Sequence, residues 1–279
     1  MENETVAAFR TAVRGADTDV DLFGAAMAIA GLRGTPADPI AVARELDLIA
    51  EDVRTHAGPT LDPGELAHAI DHELFAVRGF RGNAEEYQDA ANSYLDTVMQ
   101  RRLGIPITLS LVYMEIAQRV GLRCDGVGYP GHFIVRCGEP EAPIYVDPFH
   151  QGARLDRAEL IAGLRAYNLG GASYSSFLAG ITRRQLLQRM LNNLHAIFRA
   201  SRDIARWLQT IELLLCIEPW NAALVGERGM LHYRLGRPDV ALQDLERYAA
   251  AGEAESLTAG ARRLLRELRL QYGREEGTP

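Results

Sequence analysis

Three cysteines are all that this chain of 279 residues contains, and no two of them form a C-x-x-C pair. A sparse, odd set excludes a disulfide framework and gives a zinc or thioredoxin-type site no foothold. Cys124, Cys137 and Cys216 therefore read as small buried hydrophobes, and a reducing cytoplasm is the expected compartment. Long apolar runs are also missing. The longest, "LFGAAMAIAGL" over residues 22–32, is too short to cross a bilayer, so no membrane role is expected. The first residues, "MENETVAAFR", are acidic and lack the apolar stretch of a signal peptide. Positive charge is not in excess: the net charge of -7 excludes a nucleic-acid backbone as partner. The arginines between Arg183 and Arg206 read as solvated helix faces.

What remains is a sequence built for a packed core, 47% apolar and 24% charged, and long enough for one large domain or two smaller ones. Residues 1–88 show apolar positions at three- and four-residue spacing, the mark of helices. Asp62 is an N-cap candidate with Pro63 at the first helical position. "NSYLDTVMQRRLG" predicts an amphipathic helix closed by Gly104. "IPITLSLVYMEIAQRVG" predicts a second helix, closed by Gly121 and buried because it is apolar nearly all round. Three short strand candidates follow, "RCDGVGY", "HFIVRC" and "PIYVDPF", each bounded by Gly or Pro. The expected fold is α+β: a helical N-terminal region over 1–88, a core with a small antiparallel sheet over 89–180, and a helical region over 181–279. "GGASYSSFLAG" (170–180) reads as the connection to the last of these.

The C-terminal region fits tetratricopeptide spacing. If Pro219 ends one repeat, the next begins at Ala222. Gly229 and Ala241 then take the two small-residue positions, and "LGRPDVAL" forms the turn. The preceding unit (188–221) is degenerate, with Trp207 where a small residue belongs, and a capping helix is expected over 258–272. The alternative is an unrelated bundle of helical hairpins.

Chemistry concentrates in the middle third. "HFIVRC" and "PIYVDPF" are joined by "GEPEA". A turn centred between Glu139 and Pro140 sets His132 directly opposite Asp147, with Cβ atoms about 5 Å apart. An imidazole held by a carboxylate is the orienting half of a nucleophile–His–Asp triad; it is equally a structural pair tying two strand ends together. No thiol is placed to complete a triad. Cys137 lies on the opposite strand face, about 17 Å along the strand from His132, Cys124 sits down its own strand, and Cys216 belongs to the repeat region. "HAIDH" puts His68 and His72 on one helix face, but without the glutamate of a zinc helix it reads as solvated. His132, Asp147 and His150 could form a three-ligand site only if His150 folded back over the strand end; no metal and no cofactor is expected.

The run "NSYLDTVMQRRLGIPITLSLVYMEIAQRVGLRCDGVGYPGHFIVRC…IYVDPF" resembles the transglutaminase-like core, whose catalytic order Cys, His, Asp is the papain-like one. More closely it resembles the bacterial SirB-type family, a transglutaminase-like domain followed by tetratricopeptide repeats. The hallmarks are Asn92-Ser93, "RRLGIPITLS", "PGHFIVR" and "VDPF". The resemblance implies that His132 and Asp147 are catalytic remnants. The family nucleophile would stand near Pro106 to Thr108, where this sequence has no cysteine, and Thr108 and Ser110 are the hydroxyls at hand. It further implies binding residues at Asn92 and Arg102, and a peptide-binding pocket lined by Tyr113, Tyr129, Phe133 and Phe149. The expectation is a non-catalytic pseudoenzyme of the bacterial cytoplasm that binds a protein or peptide through its repeats and core pocket, with a regulatory role. The alternative is a hydrolase or acyltransferase using Thr108 or Ser110 with His132.

Overall fold

The computed structural model describes residues 4–167, 173–251 and 259–272. The protein divides into two compact units, Met1–Ile197 and Phe198–Pro279.

In the first unit the helix Pro106–Val120 is the organising element. Nearly every residue of its first three turns is buried. A helix apolar on all sides needs cover on all sides, and this is why the N-terminal helices do not stand apart from the core as a region over 1–88 of their own. Leu22–Ala30, Pro39–Ala57 and Pro63–Asp71 belong to the same unit. Tyr113 donates to the Ala67 carbonyl at 3.2 Å, Arg119 pairs with Asp47 at 2.8 Å, and Arg33 reaches Asp96 at 2.7 Å. Each of the three helices starts at an aspartate that accepts backbone N–H groups of the first turn: Asp21, Asp38 and the expected Asp62.

The amphipathic helix before the core helix, Leu95–Arg101, is closed by Arg102 in the left-handed region (φ 57°), not by Gly104. The backbone must reverse there because strand β1 (Arg81–Gly82) pairs in parallel with β2 (Leu103–Gly104). The strained Arg102 is held by its ion pair with Glu45 and by its guanidinium lying 4.7 Å over the Phe80 ring. Gly104 serves another purpose: a Cβ on it would come within 2.9 Å of the Thr108 hydroxyl oxygen. Gly121 closes the core helix as expected, at φ 82°.

Four antiparallel strands follow in sequence order: β3 (Cys124–Val127), β4 (Ile134–Cys137), β5 (Ile144–Asp147) and β6 (Ala153–Leu155). The β4–β5 register differs from the expected one by two residues. Val135 faces Val146 and Cys137 faces Ile144, so the turn centres between Pro140 and Glu141, and His132 is not directly opposite Asp147. Gly138, left-handed at φ 82°, starts the reversal. An even slip leaves every side chain on its original face. Cys124 and Cys137 are directly paired across β3 and β4, with Cα atoms 4.2 Å apart, and are joined as a disulfide. They are therefore not separate buried thiols, and the cysteine count no longer argues for a reducing compartment. No helix among the described residues is long and apolar enough to cross a membrane.

The helix Arg183–Ser201 runs through the division at Ile197, so the change of unit comes after the Gly/Ser-rich stretch and not at residue 180. Part of that stretch, residues 168–172, lies outside the described residues. The second unit contains helices Ile204–Ile217, Ala222–Arg234, Pro238–Ala250 and Ala259–Tyr272. Gly229 and Ala241 meet where two helices cross, as tetratricopeptide spacing predicts. A Cβ at Gly229 would lie 3.0 Å from the Asp244 Cβ and 3.2 Å from the Ala241 carbonyl oxygen. Trp207, out of place by that spacing, is buried, and its indole donates to Glu227 at 3.0 Å. Gly229→Val should prise this helix pair apart at a cost of about 2 kcal/mol, with Gly229→Ala milder. Thermal unfolding followed by circular dichroism checks this; an unchanged melting curve for the valine variant would rule it out.

Candidate functional site

Asp147 ends β5 and caps the 3₁₀ turn Pro148–His150. Its Oδ1 accepts the backbone N–H of Phe149 at 3.1 Å and of His150 at 3.3 Å. Gln151 and Gly152 then take left-handed conformations and send the backbone into β6. The tight turn folds the His150 ring onto its own cap: Nδ1 lies 2.7 Å from Asp147 Oδ2. On the neighbouring strand, the "GYPGH" turn delivers His132, whose N–H donates to the Tyr129 carbonyl at 3.0 Å. His132 Nε2 lies 2.8 Å from the same Asp147 Oδ2. The contact expected from sequence is thus made, although along a diagonal of the hairpin and not by direct opposition.

Asp147 is nearly buried, with a side-chain exposure of 6%, against 23% for His132 and 64% for His150. Burial alone would raise its pKa. The hydrogen bonds from His132 and His150, and the charge those rings carry when protonated, outweigh burial and hold the carboxyl below its ordinary value. Phe149 forms a wall, edge-on to His132 with ring centroids 6.1 Å apart. It fits because residue 82 is glycine: a Cβ there would stand 2.5 Å from the Phe149 ring.

No nucleophile among the described residues is brought within hydrogen-bond reach of the His132 ring. Among the described residues only Asp147 hydrogen-bonds its ring. Thr108 is fully buried and its hydroxyl is committed to the start of the core helix. It accepts from the Ile105 N–H at 3.1 Å and lies 2.7 Å from the Asn92 carbonyl. Ser110 is also fully buried, with no hydrogen-bond partner among the described residues. Pro106 opens the helix with its first turn packed inward, so both hydroxyls face the core. Cys124 and Cys137 are bonded to each other, and Cys216 lies in the other unit.

The expected binding residues do not converge on one pocket. Asn92 is buried and holds the loop before it, accepting from Asn83 at 3.0 Å and donating to the Glu86 carbonyl at 2.7 Å. Arg102 sits on Phe80. Tyr113 and Phe133 are core side chains with at most 2% exposure, too deep to grip a ligand. Tyr129 turns away to donate to the Leu160 carbonyl at 2.9 Å. Of the four aromatics only Phe149 lines the His132 site. Tyr87, which sequence reasoning passed over, stands edge-on to Phe149 at 6.2 Å and is 41% exposed. A tyrosine in the polar stretch "NAEEYQDA" carries no periodic signal that would have singled it out.

Ligand atoms of His132, Asp147 and His150 lie within 4.8 Å of one another, a set that could gather on a divalent ion. The same atoms satisfy each other through hydrogen bonds, which already accounts for their arrangement. A second set is His56, His72 and Glu73. His72 stacks on His56 at 4.1 Å and is not paired with His68, while Arg78 binds the Glu73 carboxylate at 2.7 Å.

The sequence matches the Transglutaminase-like superfamily over residues 40–192 and a tetratricopeptide repeat over residues 194–269. It is similar to a UPF0162 protein of Xylella fastidiosa (strain Temecula1), 37% identical over 184 residues, covering 64% of this protein and 66% of that one. A UPF0162 protein of Pseudomonas aeruginosa is 29% identical over 229 residues, covering 81% and 83%. Human F-box only protein 21 is 29% identical over 185 residues, covering 62% of this protein but 28% of its own length. The match therefore spans just under two thirds of the Xylella relative and much less of the F-box protein. No solved structure matches it.

Proposed function

The chain belongs to the transglutaminase-like superfamily, with a tetratricopeptide repeat behind the core as in the SirB-type UPF0162 proteins of bacteria, and from that premise we propose that it is a non-catalytic interaction protein. The core binds a peptide segment at the His132–Asp147 site and the repeats dock the same partner. One observation carries this reading: among the described residues the His132 ring has a carboxylate to orient it but no thiol or hydroxyl to activate. Acyl transfer by this family's chemistry needs a thiolate that forms and then releases a thioester. With that step removed, a rigid imidazole–carboxylate pair walled by Phe149 and Tyr87 is suited to recognition. Tetratricopeptide repeats generally mediate protein–protein contacts and supply the second surface.

The test is an assay of the full-length protein for incorporation of a fluorescent primary amine into a glutamine-rich acceptor and for amide hydrolysis. Neither is expected, before or after thiol alkylation. Retention of peptides from a random mixture is expected, and His132→Ala should weaken it. Turnover that vanishes in His132→Ala would overturn the proposal.

A further inference from the structure

The arginines of the helix Arg183–Ser201 are not all solvated. Arg183 and Arg184 bind Asp17 through their backbone N–H groups, and their guanidinium groups donate to the carbonyls of Val20 and Val13, each at 2.7 Å. Arg189 differs from both. Its Nη2 donates to the backbone carbonyl of His132 at 3.0 Å and more weakly to that of Tyr129 at 3.5 Å. Its guanidinium lies 5.3 Å over the Phe133 ring. It enters because residue 128 is glycine: any Cβ there would collide with Nη1. Thus the turn that delivers His132 is also shaped to admit Arg189.

No carboxylate meets this cation among the described residues. Half-buried guanidinium groups elsewhere in the protein have theirs: Arg119 has Glu115 at 2.7 Å and Arg228 has Asp244 at 2.7 Å. Taking a cation out of water without a counter-charge is unfavourable, so such groups are ordinarily paired. Burial lowers the Arg189 pKa, and only the charge interaction with Tyr87 opposes it. Among the described residues Nε and Nη1 have no acceptor, yet neither is among the buried polar atoms that lack one, so both reach accessible space. Tyr87 interacts with the Arg189 charge and, through Phe149, adjoins His132.

We propose that Arg189 anchors a carboxylate of the bound peptide next to His132. The proposal rests on the reading of the core as a peptide-binding site. Free guanidinium N–H groups make charge-assisted hydrogen bonds to carboxylate oxygens, which are among the stronger polar contacts a protein forms. A single cation suits a monoanion better than a phosphate dianion. The carboxylate is either the C-terminus of the peptide or one of its acidic side groups.

A random mixture of short synthetic peptides distinguishes the two sources. It is made in three forms: free acids, C-terminal amides, and amides in which Asp and Glu are replaced by Asn and Gln. Each is passed over the immobilised full-length protein, and the retained pool is quantified by mass spectrometry. Retention of the form without carboxylates is expected to fall by about tenfold, the factor that corresponds to about 1.4 kcal/mol. Arg189→Gln should make the three forms equal, and Arg189→Lys should keep part of the preference. The wild-type comparison needs no variant and stands even if Arg189→Gln does not fold. Loss at the first amidation assigns the C-terminal carboxylate; loss only at the second assigns acidic side groups. Equal retention of all three forms overturns the anchor and leaves peptide binding intact. Retention of none overturns both. Displacement of the acids by inorganic phosphate but not by acetate at equal ionic strength overturns the carboxylate assignment.

Discussion

Asp71→Asn is expected to be more stable than wild type at about pH 7.5, by as much as about 3 kcal/mol, and the gain should vanish by about pH 4. Asp71 pairs with Arg154 of β6 at 2.6 Å, while its Oδ1 is buried with no hydrogen-bond partner among the described residues. Burial raises its pKa from 3.8 to about 6, outweighing the partly exposed Arg154. Between those two values the folded state holds a proton that the unfolded state releases. The contribution of Asp71 to stability is therefore greatest below 3.8 and declines as pH rises through about 6. The asparagine cannot ionise and so removes that dependence. Urea unfolding at stepped pH measures it. A wild-type minus variant difference that does not change between about pH 4 and about pH 7.5 would refute the assignment.

Asp147→Ala is expected to have the opposite and comparably large effect, a destabilisation of about 3 kcal/mol at neutral pH together with loss of peptide retention. The substitution removes one acceptor for two imidazoles and another for the backbone N–H groups of Phe149 and His150. Stranded donors lose their partners without regaining full hydration, and the Pro148–Gly152 turn loses its cap. Because the Asp147 pKa is depressed, its contribution is present above 3.8 and is lost as pH falls through the folded value. Denaturant unfolding checks the stability. A variant with unchanged stability that still retains peptides would show that the carboxylate holds nothing together.

The two imidazoles illustrate what could be read from sequence and what could not. The spacing of His132 and Asp147 about "GEPEA" was enough to predict that they meet, because side-chain parity survives the two-residue slip in register. The slip itself depends on where Gly138 turns left-handed, and several positions in a Gly- and Pro-bearing loop could do that. His150 needed a fold-back over the strand end, which local spacing alone does not favour. It happens because Asp147 caps its own following turn. The hydroxyls stood at the right place in sequence for a nucleophile and at the wrong depth in space. Their direction was decided by how the first turn of the core helix packs against the loop at Asn92.

Local physical chemistry, carried by the sequence alone, determined the capped helices, the buried core helix between Pro106 and Gly121, the small antiparallel sheet and the close crossing at Gly229 and Ala241. These follow from periodicity, caps and small residues, each of which acts within a few turns of backbone. Tertiary structure alone decided that Cys124 would lie against Cys137, that Tyr113 and Phe133 would be core and not pocket, and that Arg189 would reach the carbonyl of His132 with no carboxylate of its own among the described residues. Those outcomes depend on which strand faces which and on where a missing Cβ leaves room, as at Gly82 and Gly128. The contacts join residues up to 67 positions apart, as Phe149 and Gly82 are, and over that separation nothing in the local pattern specifies a partner.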